Sequence, residues 1–294
     1  IAAGGRPLIY TLFKKVVDEN DKVIYAAPSW NNNHYTNLHK GKHCVIETKP
    51  ENNLMPTAND IAANIKDAAL ISLCTPQNPT GTTLNKETLS EICKLIIEEN
   101  NRRGKDEKKL YLMFDQIYWM LTYGAVKHYN PVTLHPEMRH YTIFIDGISK
   151  AFAATGVRVG WAFGPSAVLS KMKAFLSHIG AWAPMAEQKA TAKYLIQKDL
   201  LQQHFDKFKY ELQLRLLNIY DGLIALKTKG YNIDAITPQA AIYLTVKFDL
   251  VGKKTFNAEL KSQEDVTAYL LDKAKLAVLP FYAFGEQKES PWYR

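Results

Sequence analysis

The chain has 294 residues, a mass of 33.4 kDa, 47% hydrophobic and 22% charged residues and a mean hydropathy of −0.24, enough for one large domain and part of a second and too much for a peptide hormone or disulfide mini-protein. No apolar run reaches the roughly 18 residues of a membrane span, and Cys44, Cys74 and Cys93 are an odd set without metal-ligand spacing, so no membrane partner, no metal and a reducing, cytoplasmic compartment are expected. The formal charge of +8 (37 − 29) suits a nucleic-acid face or a pocket for small anions; the basic residues form no stripe with aromatic ones, and the densest polar stretch, 100–109, mixes both signs as a solvated loop does, so no nucleic-acid partner is expected.

The chain opens at Ile1 with no initiator methionine or signal sequence and stops at Arg294 in mid-pattern, as an incomplete chain would. Gly4 and Gly5 precede a helix-like segment, 7–17. Short runs rich in β-branched and aromatic residues then predict strands at 22–26, 43–48, 69–74, 110–114, 142–145 and 157–163, alternating with segments of helical period. Between the third and fourth, Asn85 stands at an N-cap with Glu87 in the first turn, and Leu89, Ile92, Cys93 and Ile96 share one face: a crossover helix. A long helical pattern covers 206–226, followed by a strand at 241–248, a helix at 263–274 and a strand at 276–279. These elements predict an α/β protein, a three-layer, mostly parallel sheet with helices on both faces over 1–205, then an interdomain helix and a smaller, incomplete α+β domain over 206–294.

In open α/β sheets ligands bind at the C-terminal strand ends. There the sequence places Thr75-Pro76-Gln77-Asn78-Pro79-Thr80-Gly81, Asp115-Gln116-Ile117-Tyr118 and Asp146-Gly147-Ile148-Ser149-Lys150, with Arg158 eight residues on. Singly these are turn, cap and surface chemistry. Together they supply an amine, an acid, a phenol, an amide and a guanidinium at one end of the sheet, the groups that a phosphorylated heterocycle bound to an amine requires.

The four ordered motifs resemble the fold type I aminotransferases of class I/II, and the segment from Ser149 to Gly160 is similar to the bacterial aspartate aminotransferase subgroup. The resemblance implies pyridoxal 5′-phosphate as cofactor, an amino acid and a 2-oxo acid as substrates, and a homodimer with shared active sites. It implies that Lys150 anchors the cofactor and carries the proton, that Asp115 faces the pyridine nitrogen, and that Tyr118 and Asn78 bond the phenolic oxygen. Tyr118 lies one helical turn after Asp115 if a helix begins there. Arg158 and the backbone of Gly4 and Gly5 would hold the phosphate. Trp30 would cover the ring, with His34 a candidate for contact with Asp115. Arg294 would bind the substrate α-carboxylate and Arg6 the second carboxylate of a dicarboxylic substrate such as aspartate. Gly147 stands where the family commonly has a phosphate-binding serine, with Ser149 a possible substitute, and the bond before Pro79 is expected to be cis. A lyase or cyclase on the same scaffold, or a non-catalytic regulator domain that binds the cofactor, would keep the same residues.

Overall fold

Runs as apolar as 68–74 and 111–115 cannot face water on either side, and the computed structural model, which describes residues 1–255 and 259–294, covers them on both. In chain order the elements are α1 (Gly5–Val16), β1 (Lys22–Ala27), α2 (Asn32–Leu38), β2 (Lys42–Glu47), α3 (Ala58–Ala62), β3 (Ala68–Cys74), α4 (Lys86–Arg102), β4 (Tyr111–Asp115), α5 (Pro131–Leu134), β5 (Thr142–Gly147), β6 (Gly160–Phe163), α6 (Ser166–Ile179), α7 (Met185–Leu195), α8 (Lys198–Thr228), β7 (Ile233–Ala235), β8 (Val246–Phe248), α9 (Gln263–Ala274) and β9 (Trp292–Tyr293). The large sheet has the order β2-β1-β3-β4-β5-β6, parallel except for β6.

Alternation along the strands separates the two core layers. Ile71, Leu73, Leu112 and Phe114 pack with Leu89, Ile92, Cys93 and Ile96 of α4. Leu70, Met113, Ile143 and Ile145 pack on the opposite face with Leu8, Leu12 and Phe13 of α1 and Val168, Met172 and Leu176 of α6. Asn85 caps α4 as expected, accepting from Thr88 N at 2.8 Å. A third core gathers the small three-stranded sheet β7-β8-β9 with α9 and Leu216 of α8. The fold is therefore the three-layer α/β architecture with a smaller antiparallel unit.

Several expected elements differ. The helix expected from 206 begins at Lys198, so the expected division at 205 falls inside α8. The strand expected over 157–163 is only Gly160–Phe163, because Thr155–Val157 is a 3₁₀ turn and Arg158 adopts a left-handed backbone, φ 59°. The strand expected over 241–248 is only Val246–Phe248, since the residues before it dock on the segments that follow β3 and β4: Ala240 N donates to Gly81 O (3.0 Å), Ala241 N to Leu121 O (2.8 Å) and Thr245 Oγ1 to Thr80 O (2.8 Å). At 276–279 no strand forms; Leu279 instead exchanges two backbone hydrogen bonds with Arg294. Within the stretch read as a solvated loop, Arg103 is buried, paired with Glu99 at 2.8 Å and donating to Ala68 O.

Candidate active site

The strand order reverses at β1, whose two neighbours are β2 and β3, and such switch points open a crevice at the C-terminal ends. A cavity of about 590 Å³ lies there, within the size range of small-molecule sites. The C-terminal ends of β1, β3, β4 and β5 and the segments after them supply Trp30, Asn78, Asp115 with Tyr118, and Lys150 to its wall, α1 supplies Gly5 and Arg6, and the segment before β8 and the residue after β9 supply Tyr243 and Arg294. Arg158 lines it too.

Lys150 Nζ makes no hydrogen bond or ion pair among the described residues. Burial lowers its pKa, and the positive charges of Arg6, Arg294 and Arg158 lower it further. Asp115 sits deep in the cavity. Burial pushes its carboxyl up to about 7, the nearby Asp146 adds to that rise, and one backbone hydrogen bond from Ile117 N (3.1 Å) opposes it. No cation of the described residues pairs with it, which makes it the complement of a cationic ring nitrogen supplied from outside. No helix follows Asp115: residues 117–120 form a turn, with Trp119 N donating to Gln116 O and Leu121 N to Tyr118 O, and this turn brings Tyr118 into the cavity.

Arg158 is held by backbone carbonyls. Its Nη1 donates to Thr155 O (2.6 Å) and its Nη2 to Ala3 O (2.9 Å), leaving Nε–H and one hydrogen on each Nη free. Gly4 has φ 88°, and a Cβ there would lie 2.2 Å from Arg158 Nη2, so glycine makes the room that this guanidinium fills. The N–H of Gly4 donates to Ala2 O (2.7 Å). The unbonded N–H groups at the start of α1 are those of Gly5 and Arg6. Gly147 also has a packing reason: a Cβ there would stand 2.8 Å from Val159 O and 2.9 Å from Gly160 Cα. Ser149 and Thr155 line the cavity, with Thr155 Oγ1 donating to Ser149 O.

The bond before Pro79 is cis, as expected. Asn78 Oδ1 accepts from Arg294 Nη1 at 3.0 Å, and the Arg294 guanidinium lies 4.7 Å from the Tyr243 ring centroid and 4.9 Å from that of Phe284. Arg6 stacks 5.0 Å over Trp30 and has no acidic partner among the described residues. His34 is exposed on α2 and does not reach the cavity; Asn31 takes a left-handed turn that rotates Asn32 inward instead, where it accepts from Ser72 Oγ (2.7 Å) and donates to Ser29 Oγ (3.0 Å). Asn32, Ser72, Cys74 and Tyr243 are cavity residues that the sequence did not single out. Ser72, a polar residue inside the apolar strand β3, was the available signal for one of them.

Free cationic groups at a helix N-terminus, an unpaired buried carboxylate and an unbonded lysine fit pyridoxal 5′-phosphate group by group. Residues 1–294 match the aminotransferase class I and II family, and the chain belongs to it: it is a pyridoxal phosphate-dependent transaminase of fold type I, which moves an amino group between an amino acid and a 2-oxo acid. It is 29% identical over 287 residues to the aspartate aminotransferase of Bacillus sp. strain YM-2, covering 97% of this chain and 68% of that one. A probable aspartate/prephenate aminotransferase of Rickettsia felis is 29% identical over 290 residues, covering 97% and 67%. Among solved structures, the aspartate aminotransferase of Rhizobium meliloti superposes with a TM-score of 0.86 at 25% identity (99% and 70% covered), and that of Thermus thermophilus with maleate with 0.82 at 26% (97% and 68%).

Proposed function

We propose that this chain transaminates dicarboxylic amino acids, aspartate being the type substrate, with Lys150 as the catalytic amine. The observation that carries the substrate class is the placement of two guanidinium groups without acidic partners, Arg6 from α1 and Arg294 from the small domain, on one cavity. The Thermus relative, solved with the dicarboxylate maleate, and the relatives named aspartate aminotransferases agree with it.

Pyridoxal 5′-phosphate supplies the electron sink that accommodates the electron pair released at substrate Cα. Lys150 would anchor the cofactor, and its amine would take the proton from substrate Cα. Asp115 would accept from the ring N–H and keep that nitrogen charged. Tyr118 and Asn78 would donate to the phenolic oxygen, Arg158 with the N–H groups of Gly5 and Arg6 would hold the phosphate, and Trp30 would cover the ring face. Arg294 holds the α-carboxylate and Arg6 the distal one. Division into a large cofactor domain and a small domain follows the two sheets, with α8 joining them.

A homodimer is part of the reading. Ile179, Trp182, Met185, Ile196 and Leu200 are 46–77% exposed along one stretch of chain, a surface suited to a second copy. The three cysteines are all unpaired, which agrees with a cytoplasmic location, and among the described residues no helix is long and apolar enough to cross a membrane.

The test compares kcat/KM for aspartate, alanine and phenylalanine in wild type and Arg6→Ala. Loss of Arg6 lowers kcat/KM for aspartate by about 30- to 1,000-fold, the equivalent of about 2–4 kcal/mol for truncating one member of a charge pair, and leaves alanine nearly unchanged. Equal losses on all three substrates would overturn the dicarboxylic assignment.

A further inference from the structure

Tyr243 lines the cavity and takes no part in the proposed reaction as described. It lies in the segment between β7 and β8 that docks on the large domain, and its backbone approaches Gly81 so closely that a Cβ on Gly81 would lie 2.6 Å from Tyr243 O. Tyr123 N donates to Gln239 O (2.9 Å), and the Tyr123 hydroxyl donates to Ala241 O, so the segment is fixed by two stretches of the chain. The side chain points inward. Its hydroxyl is 2.6 Å from the hydroxyl of Tyr118, the two rings meet edge to face at 5.5 Å, and the Arg294 guanidinium covers its ring. The charged or titratable groups that face it are Tyr118, Cys74, Asp115 and Arg294.

We infer that Tyr243 is a positioning residue that acts through Tyr118: it holds the Tyr118 oxygen as acceptor, so that the Tyr118 hydrogen is committed to the cofactor's phenolic oxygen. The inference rests on the assignment of Tyr118 to that oxygen. Two hydroxyls 2.6 Å apart share one hydrogen, and either order of donation is open while neither has another acceptor. An anionic acceptor in the cavity resolves the choice in one direction, with Tyr243 donating to Tyr118 and Tyr118 donating onward. A donor whose own oxygen accepts a hydrogen bond is the stronger donor. The same side chain carries Arg294 on its ring and Arg294 bonds Asn78, so one small-domain residue joins the two proposed phenolic-oxygen ligands to the carboxylate-binding arginine.

The test is a pH titration of the cofactor absorbance in the loaded enzyme, for wild type, Tyr243→Phe, Tyr118→Phe and the double variant, with KM for the amino acid measured alongside. Weaker donation to the phenolic oxygen favours its protonation partner, so the midpoint rises. The expected shift is about half a pH unit for Tyr243→Phe and more for Tyr118→Phe, and the double variant matches Tyr118→Phe alone. Tyr243→Phe keeps the ring under Arg294 and holds KM within about twofold, whereas Tyr243→Leu raises it about threefold or more. An unmoved midpoint in Tyr243→Phe beside a shifted one in Tyr118→Phe overturns the inference and leaves the Tyr118 assignment standing. No shift in either variant removes the Tyr118 assignment and this inference with it. Additive shifts in the double variant, or a raised KM with an unmoved midpoint in Tyr243→Phe, would show that Tyr243 does not act through Tyr118.

Discussion

At the scale of single residues, the site depends on charges that the protein leaves unpaired. Lys150 is the clearest, and Lys150→Ala is expected to lower transamination by about 10³-fold or more, with the thermal melt little changed because the side chain contributes little packing; wild-type turnover in that variant would refute its role. Asp115 makes a prediction about pH in the cofactor-free protein. Its folded pKa of about 7 lies above the ordinary 3.8, so the folded chain keeps a proton that the unfolded chain releases between those values. The contribution of the group to stability therefore falls as pH rises from about 4 to about 7 and levels off above. Cofactor-free Asp115→Asn, which has no carboxylate to ionise, is expected to gain about 5 °C in Tm relative to wild type between pH 5 and pH 8. A difference that stays constant over that range would contradict the burial argument.

At the scale of elements, short connections do the positioning, and they are also where sequence and structure part. The strands of the large sheet, α4 with its Asn85 cap and α9 were legible because continuous apolar runs, a 3.6-residue period and cap chemistry are local signals. Lys150, Asp115 and Asn78 were legible as cavity residues because each ends or follows a predicted strand, whereas Arg158 was read inside one. Tyr243 was not, since its place depends on a contact with Gly81 that is 162 residues away (243 − 81) and has no local pattern. The exposed position of His34 depends on one left-handed residue, Asn31, which shifts the register of α2 by a step. Gly81 carries an element-scale prediction. With φ 71° and no room for a Cβ against Tyr243 O, Gly81→Ala should destabilise by about 2–4 kcal/mol and raise KM for the amino acid by loosening the docked segment, measured by denaturant unfolding and initial rates. A variant within about 0.5 kcal/mol of wild type would show that the close approach is not needed.

At the scale of the whole molecule, the two sheets share one cavity, and the net charge of +8 has a local use in the arginines that converge on it. The exposed apolar stretch from Ile179 to Leu200 predicts a dimer in solution at micromolar concentration, and Trp182→Arg with Met185→Arg is expected to shift the sedimentation profile toward monomer; a monomeric wild type would contradict it. The central claim is that this cavity holds pyridoxal 5′-phosphate through Lys150. The direct measurement is borohydride reduction of the loaded protein, which makes the lysine link permanent, followed by digestion and mass mapping of every lysine-containing peptide. The account predicts the added cofactor mass on the peptide that contains Lys150 and on no other, whereas cofactor mass on a different lysine, or on none, would contradict it.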